Sequence, residues 1–165
     1  MAVPAPAPEA TAPDPRSFRD AMGRLATGVA LVTAAPGGEP AGMIVNSVAS
    51  VSLEPPLLSF CPSRDSLTWA RMRHEGRFGV NVLAARHQQF AIRATPPGAD
   101  RFSGIDWSWG DHGVPRIADA LASYECETVA EHAAGDHWIV VGQVVGLRVS
   151  PVDEPLLFYA GGFVS

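Results

Sequence analysis

The sequence predicts a mainly β chain with inserted helices, folded as an antiparallel barrel of Greek-key type. Three observations lead there. Runs rich in β-branched residues, several of them alternating apolar and polar, recur at Val29–Ala35, Arg77–Leu83, Leu121–Ala130 and Trp138–Val149. Turn residues separate them, as at Pro36-Gly37-Gly38 and Gly135-Asp136. The helical patterns are inserted between strands rather than alternating with them, which argues against a doubly wound parallel sheet.

In chain order, residues 1–13 (MAVPAPAPEATAP) are an Ala/Pro tail with nothing to bury, expected to be disordered. Residues 14–165 are then a single domain, long enough for a core of its own. Asp14-Pro15 suits the N-cap and first position of a helix with Phe18, Met22 and Leu25 on one face, ending near Gly28. That face is expected in the core. The stretch GMIVNSVASVSLEPPLLSF, Gly42–Phe60, reads as strand, tight crossing, strand, with Pro55-Pro56 stopping the ladder. Its small and hydroxyl-bearing residues, Asn46, Ser47, Ser50 and Ser52, suit either a half-buried strand or a flat ligand lying against the backbone.

Cys61–Asp65 is a polar turn, after which Ser66 or Asp65 caps a helix carrying Leu67, Trp69, Ala70 and Met72, stopped by Gly76. In the Arg77–Leu83 strand, Phe78, Val80 and Val82 face opposite Asn81. Arg86–Arg93 is read as helical, Thr95–Asp100 as a loop, and Trp107–Gly113 as irregular. Gly142 and Gly146 mark bends or bulges in the Trp138–Val149 strand. Leu156–Tyr159 is the last short strand, giving six or so in all.

The net charge of −5 argues against nucleic acid or an anionic membrane surface as partner. Cys61 and Cys126 form no CxxC pair or disulfide framework, which fits a reducing, cytoplasmic setting. No apolar run approaches the roughly 18 residues of a membrane span, and no secretory signal opens the chain. GxGxxG, GxxxxGK[ST] and GxSxG patterns are absent, and the five histidines show no metal spacing. The sharpest local feature is GDHWIVVG at 135–142, which sets His137 at the entry of a long strand. There it is either a ligand-facing group at a barrel rim or an edge histidine.

Several blocks, in order, resemble one family. They are FRDAMGRLATGVALVTA at 18–34, GMIVNSVASVSLEPPLLSFCP at 42–62, SLTW at 66–69, RFGVNVLA at 77–84, GDHWIVVGQV at 135–144 and PLLFYAGGF at 155–163. Together they resemble the flavin reductase-like domains that serve two-component monooxygenases. The resemblance implies a split β-barrel homodimer that binds FMN or FAD, oxidises NADH or NADPH, and hands reduced flavin to a separate oxygenase. It implies that the flavin ring lies along Val45, Asn46 and Ser47. The phosphate would meet the Cys61–Thr68 loop (Cys61, Pro62, Ser63, Ser66, Leu67, Thr68), with Ser66 and Thr68 as donors.

By the same resemblance His137 lies beside the nicotinamide, as the one catalytic candidate, with Phe163 near that pocket. Asn81 is a further cofactor candidate or a strand-face polar group, and Arg93 and Arg101 are phosphate partners or surface charges. Two departures stand out: Ile44 replaces the family's usual threonine, and Ala94 stands where phenylalanine is common. Both bear on affinity and on the choice between FMN and FAD. The alternatives are a flavin-binding split barrel without turnover, and a flavoenzyme that acts directly on an organic substrate with its flavin retained.

Overall fold

The computed structural model describes residues 12–151 and 154–164. The predicted tail therefore lies outside the described residues except for Ala12 and Pro13. Asp14 caps the first helix, α1 (Pro15–Met22), its carboxylate accepting the Arg16 and Ser17 N–H groups at 3.1 and 3.0 Å. The helix ends at Gly23, five residues earlier than expected, because Thr27–Gly28 is itself a strand, β1.

The main sheet has seven antiparallel strands in the order β3-β2-β6-β9-β10-β5-β4. These are β2 (Ala30–Ala34), β3 (Ala41–Val45), β4 (Ala49–Leu53), β5 (Pro56–Phe60), β6 (Arg77–Val82), β9 (Ala122–Ala134) and β10 (His137–Val149). β3 and β4 follow one another with only Asn46-Ser47-Val48 between them, yet occupy opposite edges of the sheet. The four Cα steps from Val45 to Ala49 span at most about 14 Å, so the sheet must curl until its edges approach. Among the described residues no ladder joins those edges, which leaves a split barrel with β3 bonded on one side only.

The Gly42–Phe60 stretch is thus three strands rather than two. The proline pair forms the turn between β4 and β5, and Pro56 opens β5 opposite Leu53, a position where a missing N–H costs the ladder little. Two further short sheets were not all foreseen. β1 pairs with β11 (Leu157–Tyr159), which pairs with β12 (Gly162–Val164). The region read as irregular opens a small hairpin, β7 (Trp107–Trp109) on β8 (Pro115–Ile117), whose three-residue strands are too short among their turn residues to show an alternating pattern.

Burial explains the placement of the helices. α2 (Leu67–Met72) drops Trp69 and Met72 into the barrel, against Phe60 and beside Phe78 and Val140. Trp69 meets Phe60 edge to face at 5.2 Å. α3 (Gln88–Ala94) covers the other side of β2 with Phe90, Ala91 and Ala94, over Leu31, Leu83 and Leu156. β2 and β6 are therefore buried on both faces, which is why Arg77–Val82 does not alternate in burial. The expected bulges are present: the β9–β10 register shifts at Val141/Gly142 and Val144/Gly146. A Cβ at Gly142 would lie 2.4 Å from the Phe78 ring, so only glycine fits. No helix of the described residues is long and apolar enough to cross a membrane.

Candidate functional site

The link between β3 and β4 puts Asn46 and Ser47 in the wall of a cleft of about 880 Å³. Asn46 donates from Nδ2 to Thr27 Oγ1 at 3.2 Å. Phe158, Ala160 and Gly161 add to the wall, and Ala160 N–H donates to Gly23 O at 2.8 Å, which fastens the β11–β12 turn to the end of α1. The opposite wall is α1 and the turn after it, with Arg19, Met22, Arg24 and Leu25. This corrects the expectation that Phe18, Met22 and Leu25 are core: they are 57, 49 and 60% exposed. The helix stands at the rim of the cleft, off the sheet, so its apolar face has no core beneath it.

Ser47 joins this wall to the loop after β5. Its hydroxyl accepts the Cys61 N–H at 2.9 Å. The Cys61 thiol is half-buried, and burial pushes its pKa up. Pro62 is buried, and Ser63 forms a bridge with His137 at the tip of the β9–β10 hairpin. The His137 Nδ1 lies 2.7 Å from the Asp136 carboxylate, and that hydrogen bond holds Asp136 below its ordinary pKa. With Nδ1–H given to Asp136, Nε2 is the ring nitrogen left for a ligand.

Ser66 is the N-cap of α2, its Oγ accepting the Trp69 N–H at 3.1 Å, while Leu67 is largely exposed. Thr68 looks into a second cleft of about 140 Å³, shared with Gly42, Arg71 and Arg101. The Arg101 guanidinium donates to Ala99 O at 2.5 Å and Pro96 O at 2.9 Å, but its Nε is buried with no partner among the described residues. Burial pushes the Arg101 pKa down. Asp100 in the same cleft gives its carboxylate to the Phe102 and Ser103 N–H groups instead. An incompletely satisfied cation beside a hydroxyl and a second arginine suits an anion.

The remaining candidates separate. Val45 is buried, so only its backbone can face a ligand. Phe163 packs on Phe158 at 5.5 Å, edge to face, behind the cleft wall. Asn81 lines neither cleft. It is 1% exposed, its Nδ2 donates to Leu31 O and Thr33 Oγ1, and its Oδ1 accepts from Ile117 N–H and Ser123 Oγ. Its amide is spent inside the fold, where an unpaired polar group would be costly. Arg93 stands exposed on α3, outside both clefts. Sequence reasoning missed the cleft wall formed by α1 and the Ala160-Gly161 turn. The quoted blocks FRDAMGRLATG and FYAGG did contain these residues, but no local pattern joins them across the chain.

This chain belongs to the flavin reductase-like domain family, whose model matches residues 22–165. It is 41% identical over 154 residues to the flavin-dependent monooxygenase reductase subunit HsaB of Rhodococcus jostii, covering 93% of this chain and 79% of that one. It is 44% identical over 149 residues to the FMN reductase (NADH) SmoA of Agrobacterium fabrum, covering 90% and 84%. Among solved structures it is similar to the NADH:FAD oxidoreductase SgcE6 of Streptomyces globisporus in complex with NAD and FAD fragments. That match has a TM-score of 0.87 and 36% identity, and covers 95% of this chain and 96% of that one.

Proposed function

We propose that this protein uses NADH or NADPH to reduce FMN or FAD and releases the reduced flavin to a separate oxygenase. The observation that carries this reading is the free edge of β3, which runs from one cleft to the other. Gly42 lines the cationic cleft and Asn46 the wide one. Four residues of strand at about 3.3 Å each separate them by about 13 Å. A flavin nucleotide has that form: a flat ring that needs a wide cleft and backbone partners, and a phosphate that needs a cation. The residues present fit it.

Asn46, Ser47 and the Val45 backbone would hold the ring, with Cys61, Pro62 and Ser63 as its border. Thr68, Arg71 and Arg101 would hold the phosphate, Ser66 and Leu67 contributing through the turn they form. A bound flavin supplies the redox chemistry, accepting hydride from the nicotinamide. The chain's part is to bind, orient and exclude water. His137 would meet the nicotinamide through Nε2, with Asp136 fixing the ring, and Phe163 would support the wall through Phe158. Hydride transfer from the nicotinamide to the flavin needs no acid–base pair, so His137 and Asp136 would serve to position rather than to move a proton.

Residues 14–165 are the one domain of this reading. It acts as a homodimer: Val51 and Leu53 on β4 and Leu147 and Val149 on β10 expose apolar surface, Leu53 at 90%, which a second copy would cover. A cytoplasmic setting suits the two free cysteines. NADH oxidation measured against rising free FMN and FAD tests the activity. The expected rate saturates in added flavin. A protein that stays yellow through gel filtration and is not bleached by NADH overturns the reading.

A further inference from the structure

The hairpin between β9 and β10 turns through Gly135-Asp136 and carries His137 at its tip. β5 bonds to β10 only from Val140 to Gln143, so His137 and Trp138 lie beyond its last pair. A tip with so few neighbours would ordinarily fray. Here the turn after β5 takes over. Trp138 N–H donates to Pro62 O and Arg64 N–H to Asp136 O, each at 2.9 Å, and Arg64 Nη1 reaches Gly135 O at 3.4 Å.

Side chains add a second hold. Two guanidiniums lie over the Trp138 ring, Arg73 at 4.5 Å and Arg64 at 5.3 Å from its centre. Arg73 is in turn ion-paired with Glu131 of β9, and both partners are partly buried. Trp138 and His137 are adjacent in one strand, so their side chains leave opposite faces of the same short piece of backbone. Whatever fixes the indole therefore fixes the direction in which the imidazole projects. Arg64 and Arg73 flank the Ser66–Met72 segment, so one rigid unit carries both the expected phosphate loop and the hairpin tip.

We propose that Trp138, gripped by Arg64 and Arg73, is a positioning residue that aims His137 at the nicotinamide. The proposal rests on the reading of His137 given above. Trp138 acts through the backbone, and its loss leaves His137 present but loosely directed.

Stopped-flow reduction by NADH at saturating flavin is compared for the wild type, Trp138→Leu, Trp138→Phe, His137→Ala and the double variant Trp138→Leu/His137→Ala. Calorimetric titration of the flavin-free proteins with NAD+ gives a second readout. Trp138→Leu is expected to raise KM for NADH and slow reduction by up to about 10²-fold, and to weaken NAD+ binding. Trp138→Phe, which keeps an aromatic face, restores most of both. The double variant is no slower than His137→Ala alone, because the two residues act as one. Additive losses overturn the proposal, and so does a normal rate in Trp138→Leu beside an impaired His137→Ala. A silent His137→Ala overturns instead the reading of His137 on which the proposal stands. Should Trp138→Leu fail to fold, Arg64→Ala, an exposed change that spares the backbone bonds, carries the same comparison.

Discussion

Ser47 Oγ accepts the Cys61 N–H at 2.9 Å, a bond between the β3–β4 link and the end of β5. It ties the two walls from which the proposed flavin ring would be held, and lies where the two edges of the curled sheet come closest along the chain. A net hydrogen bond of this kind contributes about 1 kcal/mol. Ser47→Ala is expected to lower the melting temperature by about 2–4 °C and to weaken FMN and riboflavin alike, since it disturbs the ring end. A thermal melt and two fluorescence titrations check this. A loss confined to FMN would move Ser47 to the phosphate end.

Arg101 makes the opposite expectation. Its Nε is buried without a partner among the described residues, on the cleft that Thr68 and Arg71 share. Hydrogen bonds to charged groups contribute about 1.5–3 kcal/mol each, so Arg101→Ala and Thr68→Ala should each weaken FMN about ten- to hundred-fold and leave riboflavin almost unchanged. Ser66→Ala differs from both. It removes a helix cap and should cost about 1 kcal/mol of stability, seen as a lower melting temperature. Equal losses of FMN and riboflavin in Arg101→Ala would place the phosphate elsewhere.

Asn81 is expected to act on stability alone. Asn81→Leu strands the Ile117 N–H in a buried setting, at about 1–3 kcal/mol, and removes the side-chain donor to the Leu31 carbonyl. The melting temperature should fall by several degrees, about 2–4 °C per kcal/mol. Flavin affinity per folded molecule should not change. Loss of affinity without loss of stability would return Asn81 to the site.

The acid limb of stability has a named contributor. Burial pushes the Asp119 carboxyl up, but hydrogen bonds from Arg86 and His87 outweigh it and hold the pKa below its ordinary 3.8. The folded value is lower than the unfolded one. Its stabilisation is therefore complete above the unfolded pKa and lost as pH falls through the folded one. Urea melts from about pH 6 down to about pH 3 should show Asp119→Asn with a shallower decline than the wild type. An unchanged slope would mean that other carboxylates govern the limb.

The sequence by itself determined the features whose signal is local. The β class followed from alternation along Arg77–Leu83 and Leu121–Ala130, and the second helix from a capping serine at Ser66 before Trp69 and Met72. The bulges at Gly142 and Gly146 followed from glycines inside a β-branched run. Periodicity, caps and missing side chains each act within a few residues, so a reader of the chain can see them. Tertiary structure alone decided the rest. Asn81 became a core group because Leu31, Ile117 and Ser123 converge on it from 50, 36 and 42 residues away. The amphipathic face of α1 became a cleft wall because the Gly23–Ala160 bond docks it against the β11–β12 turn rather than on the sheet. The Arg101 cleft exists only because the loop near residue 100 closes over the start of β3. These outcomes depend on which distant segments pair and which donors remain unpaired once they have, and no local pattern encodes that choice.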